Sequence, residues 1–296
     1  MTRTPTLKPS IESIPVINAR RIVITPIYNE EDVIADVIRQ IEAEADLVIA
    51  VNDGSRDRTN IILEDWLEKN NRAIVIQCRR NNGASTALRK GYALVTDLIT
   101  RGIISPEDLI IEIDSDGQHN PRYIGVLCNR FESFQGQIDV VLARRDFSIY
   151  PFYKVIGNIF LTIFASLLGG FLYKDVESNF RVMKAQSFLK LLPWFSGYKY
   201  SGAFEVGIIL AYLGFRIDND YVISVPHYRA GAGFLDGFHV LWMGIRARWR
   251  LNRGARISDN ETFLRETLKE VQAPAWFLSG SAPPAQERQK DNLSKK

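Results

Sequence analysis

Leu109-Ile110-Ile111-Glu112-Ile113-Asp114-Ser115-Asp116-Gly117-Gln118-His119 is the stretch from which the rest of the chain is read. A short, β-rich apolar run closed by a turn signal at Gly117 has the grammar of a buried strand. In an extended segment Asp114 and Asp116 point the same way. Two carboxylates held that close repel unless a cation lies between them. Hard oxygens suit Mg²⁺ or Mn²⁺, ions that keep ligand positions for water and phosphate, and Gln118 adds a neutral oxygen. The expectation is a D-x-D site that clamps a diphosphate; the competing one is a polar turn after a strand.

A chain of 296 residues, 46% hydrophobic and 24% charged, has the composition of a globular protein with ample material for a core. A net charge of +3 is too small to indicate nucleic acid as a partner. Cys78 and Cys128 form no C-x-x-C, which predicts a reduced, intracellular chain, and with three histidines a zinc cluster is not expected. Residues 1–19 lack the apolar core of a secretory signal.

Upstream and downstream of the D-x-D the pattern alternates. Strands are predicted at 21–25, 47–52, 73–77, 109–114 and 139–143, and helices at 29–45, 57–70, 84–100 and 121–134. Such alternation implies an α/β, doubly wound and mostly parallel sheet, whose ligands bind beyond the carboxyl ends of the strands. After the first strand comes Pro26-Ile27-Tyr28-Asn29-Glu30-Glu31-Asp32. It has no G-x-G-x-x-G, and its acidic helix start suits a nucleobase better than a phosphate; plain capping by Asn29 is the alternative. After the second strand comes Asn52-Asp53-Gly54-Ser55-Arg56-Asp57, where Asp53 either accepts from a base or ribose or closes an Asx-turn. Asn81-Asn82-Gly83-Ala84 precedes the third helix and is rich in backbone donors.

Taken together, Pro26-x-Tyr28-Asn29-Glu30, Asn52-Asp53-Gly54-Ser55-x-Asp57 and Asp114-x-Asp116-Gly117-Gln118-His119 resemble the family 2 glycosyltransferases of the GT-A fold. The polyprenyl-phosphate mannosyl- and glucosyltransferases are the branch they look most like. The resemblance implies that Pro26, Tyr28, Glu30 and Asp53 hold the nucleoside of a nucleotide-sugar. It implies that Asp114, Asp116 and Gln118 bind the diphosphate through Mg²⁺ or Mn²⁺, with Ser115 among the donor-binding residues. Ala143-Arg144 is similar to the family's small-residue–Arg pair, whose Arg meets phosphate. Ala84 departs from it, since the family often has Lys or Arg there.

Residues 155–172 run without a charge, at the lower edge of a membrane span, and are interrupted by Asn158, Thr162 and Ser166. A helix lying against the catalytic domain or on a membrane surface is expected, because a span would separate Asp175 from Asp116. Asp175-Val176-Glu177-Ser178-Asn179-Phe180-Arg181 is similar to the family's D-x-x-S-G-F-R, with Asn179 expected to keep the left-handed turn of the usual Gly. By the same resemblance Asp175, Ser178 and Arg181 belong to the acceptor side. Glu205 opens an apolar helix as either a cap partner or a site group. Val225-Pro226-His227-Tyr228-Arg229 looks like the strand that brings an Arg to the donor phosphates, although the family's following Ser-Lys is replaced by Phe234-Leu235.

Phe238, Trp242, Ile245 and Trp249 share a helical face fringed by Arg246, Arg250 and Arg253, the pattern of an interfacial helix or of one docked on the domain. The expected organisation is a lead-in at 1–18, a catalytic domain at 19–235, amphipathic helices at 236–273 and a disordered tail at 274–296. The expected activity is inverting transfer of a hexose from a UDP- or GDP-sugar to a polyprenyl phosphate, with Asp116, Arg144, Glu205 and Arg229 in the catalytic set. The protein would sit peripherally on the cytoplasmic face of a membrane, possible homo-oligomerisation included. Transfer to a saccharide hydroxyl needs a general base, Glu205 or Asp175. Two other classes stay open: an aspartyl-phosphate phosphatase with Asp114 as nucleophile, and a non-catalytic partner of the same fold.

Overall fold

The computed structural model describes residues 20–226 and 234–280. The first half alternates β1 (Arg21–Ile27), α1 (Ile34–Glu44), β2 (Leu47–Asn52), α2 (Thr59–Glu68), β3 (Ala73–Gln77), α3 (Ala84–Thr100), β4 (Leu109–Glu112), α4 (Tyr123–Ser133) and β5 (Val140–Leu142). There follow the two-residue β6 (Arg144–Arg145), a 3₁₀ turn at Phe147–Ile149, α5 (Phe152–Gly169), β7 (Arg181–Lys184), α6 (Gln186–Leu191) and α7 (Gly202–Tyr212). The chain continues with β8 (Ile217–Asp218), β9 (Val222–Ile223), α8 (Phe234–Asn252), α9 (Asn260–Leu268), β10 (Val271–Gln272) and α10 (Ala275–Ser279).

Eight strands form one sheet in the order β10-β3-β2-β1-β4-β7-β5-β8, and β6 pairs in parallel with β9. Within the large sheet only β7 and β10 run against the rest. The central strands read as continuous apolar runs because both faces are covered. Ile22 and Ile24 of β1 enter the layer that holds α3 and α7, whereas Val23 and Ile27 enter the layer of α1 and α4. Period-two alternation sends Ile110 to the first layer and Ile111 to the second. Glu112, two residues on from Ile110, therefore enters the α3 layer, where it is fully buried.

The predicted strand at 109–114 ends two residues earlier, at Glu112, where the antiparallel ladder with β7 also ends at the pair Glu112–Arg181. The predicted helix at 29–45 begins at Ile34, after a turn in which Asn29 adopts φ 55°. The expected amphipathic segment 236–273 divides: α8 covers its first part, α9 packs on α3, and β10 joins the sheet beside β3. At the start of the expected tail, α10 is anchored by Phe277, which is buried, and by Trp276, whose indole N–H donates to the Asn71 carbonyl. The lead-in at 1–18 lies outside the described residues, as does the tail beyond 280.

Candidate active site

The carboxyl ends of β1, β2, β3 and β4 converge, and their loops are fastened to one another by side-chain to backbone bonds. Asn29 N–H donates to Ser55 Oγ at 3.0 Å, and Arg56 N–H returns to Asn29 Oδ1 at 2.8 Å. Glu30 N–H donates to Thr59 Oγ1 at 2.9 Å, and Arg58 N–H to Glu31 Oε2 at 2.8 Å. Both loops thus form one cradle, with Tyr28 partly exposed beside it and Glu30 buried. Gly54 is required there: at φ 70° an added Cβ would lie 2.5 Å from the backbone of Arg80.

Asp53 is buried, and its oxygens accept from Asn82 N–H at 3.0 Å and Gly83 N–H at 2.7 Å. Burial raises its carboxyl above the usual range, while those bonds lower it. Its visible work is to hold the loop before α3 against the cradle. A hollow of about 330 Å³ opens alongside, lined by Gly54, Ser55, Asn60, Gln77 and the Arg79–Arg80 pair. Pro26 meets the D-x-D directly: its carbonyl accepts from Ser115 Oγ at 2.7 Å.

At the D-x-D itself Asp116 accepts from its own turn, from Gln118 N–H at 3.0 Å and from the Gln118 amide. Gly117 makes the turn possible at φ 78°. Asp114 makes three contacts with two neighbours. His119 Nδ1 accepts its backbone N–H at 3.3 Å and stands 3.5 Å from Oδ2, and Asn179 Nδ2 donates to Oδ1 at 3.1 Å. Burial and the Asp116 charge push the Asp114 carboxyl up, against the pull of His119. This fits a divalent cation: two hard oxygens face each other's charge, and Gln118 stands beside them. Among the described residues no group of three or more His, Cys, Asp or Glu assembles, so water and a donor diphosphate would have to complete the coordination.

Of the Arg144–Arg145 pair, Arg145 and not the expected Arg144 acts on Asp114. Neighbouring residues of a strand face opposite ways. Arg145 turns to Asp175, donating from Nε and Nη2 at 2.9 Å each, and to Asn158 Oδ1 at 2.8 Å. Burial disfavours its charge, but Asp175 holds the guanidinium above its usual value, and its field reaches Asp114. Arg144 acts instead on Asp146 and Asp220, and its buried Nε has no hydrogen-bond partner.

Asp175 is fully buried and spends both oxygens on Arg145, which makes it the holder of that cation. Ser178 is buried within its own turn, accepting from Phe180 N–H at 3.4 Å. Arg181 is buried in the α3 layer with Nε 3.3 Å from Glu112. Asn179 does not take a positive φ; its amide instead spans Asp114 and, at 3.4 Å, the Arg181 guanidinium. Where the resembled motif has glycine, this chain has a residue that hydrogen-bonds both ways.

Glu205 is fully buried and accepts from Ser196 N–H at 2.9 Å, Ser196 Oγ at 2.7 Å and Arg250 Nη2 at 2.5 Å. It ties α7 to α8, and burial raises its carboxyl against those bonds. Arg229 lies outside the described residues, as do His227 and Tyr228. Sequence reasoning passed over Glu177. Its Oε1 is buried without a partner, and burial pushes its carboxyl up to about 7 despite Arg145. The signal was a second acidic residue two positions after Asp175 in the same segment.

A mostly parallel sheet whose fastened loops meet an Asp-x-Asp at a strand's carboxyl end is the build of a GT-A glycosyltransferase, an enzyme that moves a sugar. The chain belongs to glycosyl transferase family 2, whose sequence model matches residues 22–189. It is similar to an uncharacterized protein of Methanocaldococcus jannaschii, 29% identical over 72% of this chain and 91% of that one. It is also similar to the UDP-N-acetylglucosamine–dolichyl-phosphate N-acetylglucosaminyltransferase of Methanococcus voltae, 29% identical over 57% of this chain and 70% of that one. Over a shorter stretch it matches the undecaprenyl-phosphate 4-deoxy-4-formamido-L-arabinose transferase of Pseudomonas paraeruginosa, 34% identical over 42% of this chain and 35% of that one. Among solved structures it shares its fold with the glucosyl-3-phosphoglycerate synthase of Mycobacterium tuberculosis bound to Mn²⁺, UDP and phosphoglyceric acid. That similarity has a TM-score of 0.56 and 18% identity over 78% of this chain and 79% of that one. Family membership sets aside the phosphatase, and relatives named as transferases support an enzyme over a non-catalytic partner.

Proposed function

We propose that this glycosyltransferase moves a hexose, with inversion, from a UDP- or GDP-sugar to a polyprenyl phosphate at the cytoplasmic face of a membrane. The observation that carries the reading is that Asp114 and Asp116 stand between the loops after β1 and β2 and a half-buried, carboxylate-held Arg145. Asp114, Asp116 and Gln118 would hold Mg²⁺ or Mn²⁺, which when bound supplies positive charge to the departing diphosphate. The cradle of Pro26, Tyr28 and Glu30, with Asp53 bracing the loop at Asn82 and Gly83, seats the nucleoside. An oxygen of the acceptor phosphate attacks the anomeric carbon as the bond to the nucleoside diphosphate breaks. Arg145, already locked by Asp175 and Asn158, offers a fixed cation to phosphate with no reorganisation at the moment of reaction. An ionised phosphate has no proton to lose, so this acceptor needs no general base. Two relatives named for dolichyl and undecaprenyl phosphate support it.

A second reading, transfer to a saccharide hydroxyl, is favoured by one observation: Glu177 keeps an oxygen unpartnered beside Arg145 and Asp175. A carboxylate poised near neutrality is what a hydroxyl acceptor requires. One experiment separates them. UDP- and GDP-sugars carrying a radiolabelled hexose are offered with short-chain polyprenyl phosphate or with soluble saccharides, using the wild-type chain and Glu177→Gln. Label in the organic phase, retained by the variant, supports the lipid phosphate; label on saccharide, lost in the variant, supports the hydroxyl.

A further inference from the structure

α5 carries two faces of opposite character. On one, Tyr153, Ile156, Ile159, Phe160, Ile163 and Leu167 are between 50% and 75% exposed. On the other, Asn158, Thr162 and Ser166 recur at a spacing of four, one stripe of a helix. That stripe is hydrogen-bonded to the catalytic side: Asn158 accepts from Arg145 at 2.8 Å, Thr162 Oγ1 from Val176 N–H at 3.4 Å and Ser166 Oγ from Tyr173 N–H at 3.0 Å. By length and composition α5 is apolar enough to cross a membrane, yet its polar stripe is spent on the domain, so a crossing would break the bonds of Asn158 to Arg145, Thr162 to Val176 and Ser166 to Tyr173.

α8 packs against α5 and adds Trp242 and Trp249, both more than half exposed. Arginines border this surface: Arg246 and Arg253 are exposed, with Arg253 over the Trp249 ring at 4.5 Å and Arg248 over Tyr212 at 4.6 Å. Arg250, of the expected fringe, turns inward to Glu205 instead. An apolar face with bordering arginines and interfacial tryptophans matches an anionic bilayer in both chemistry and charge. A second copy docked by the same face about a twofold axis would bring like arginine borders together.

We propose that α5 and α8 seat this face on an anionic lipid bilayer, and that the polar stripe of α5 ties the seated helix to Arg145 and the Asp175–Glu177 segment. The bilayer then fixes the height of the acceptor cation relative to lipid headgroups. The seating stands on the two helices alone; the link to the acceptor rests on the transfer reading given above.

The test is co-sedimentation of the full chain with phosphatidylcholine vesicles with and without phosphatidylglycerol. Binding is expected only with the anionic lipid and is weakened by salt. Ile156→Ser/Phe160→Ser/Ile163→Ser should lose about tenfold or more of vesicle affinity, with circular dichroism and donor-nucleotide binding unchanged. Arg246→Gln/Arg253→Gln should lose the preference for phosphatidylglycerol. Asn158→Ala should sediment like wild type while transfer to a vesicle-borne acceptor falls. Wild-type sedimentation by the triple variant overturns the proposal. So does a concentration-dependent dimer that the triple variant abolishes, which would make a second copy the occupant. Sedimentation needs neither donor nor acceptor, so its failure is distinct from failure of the transfer reading.

Discussion

Glu177→Gln should stabilise the protein at alkaline pH and leave it unchanged at acid pH. The Glu177 carboxyl is raised by burial from 4.5 to about 7, with Asp175 adding repulsion and Arg145 and Arg181 opposing it. Between those values the folded chain binds a proton that the unfolded chain has released. Stability is therefore fully present below about pH 4.5 and is lost as pH rises to about 7. The difference, 7 − 4.5, is 2.5 units; at about 1.4 kcal/mol per unit this gives a ceiling of about 3.5 kcal/mol. The side chain keeps some exposure, so solvent screening should reduce it to about 2 kcal/mol. Glutamine keeps the shape of the protonated acid and cannot ionise. Urea unfolding at pH 4.5 and pH 8, each for wild type and variant, reads the gap directly. It should open from near zero to about 2 kcal/mol in favour of the variant. A gap independent of pH would refute the claim that an unpaired, titrating carboxylate sits beside Arg145.

Arg145→Lys keeps the charge but loses the fork that grips Asp175 and Asn158; transfer should fall by about 10²-fold with donor binding retained, measured by initial rates against nucleotide titration. Glu205→Ala strands Arg250 and should cost about 3 kcal/mol of unfolding free energy, read as a lower urea midpoint. An added Cβ at Gly91 would lie 2.6 Å from Ile24 Cγ2, so Gly91→Ala should cost about 1–3 kcal/mol through overpacking of α3 on β1, seen as a lower Tm.

The parallel core was legible because β1 to β4 are β-branched runs buried on both faces, and each ends in a loop whose residue types carry chemistry. β7 and β10 were not. Val271–Gln272 is too short for periodicity to register, Arg181–Lys184 carries a charge at each end of its four residues, and both become strands only through partners distant in sequence. The same limit explains the arginine pair. In a two-residue strand the choice between Arg144 and Arg145 depends on which face meets Asp175, a contact thirty residues away. Glu205 looked like a site group because a carboxylate in an apolar helix is conspicuous; Arg250 and Ser196, which satisfy it, come from elsewhere in the chain. Asn179 read as a tolerated glycine substitute, whereas its amide has a partner at each end.

The most direct test of the account is calorimetric titration of UDP- and GDP-sugars into the full chain with Mn²⁺, with EDTA, and with Asp116→Asn. The account predicts saturable binding of one donor class with Mn²⁺ that weakens at least tenfold with EDTA and equally in the variant. Equal affinity under all three conditions, or none for any sugar nucleotide in a folded sample, would contradict it.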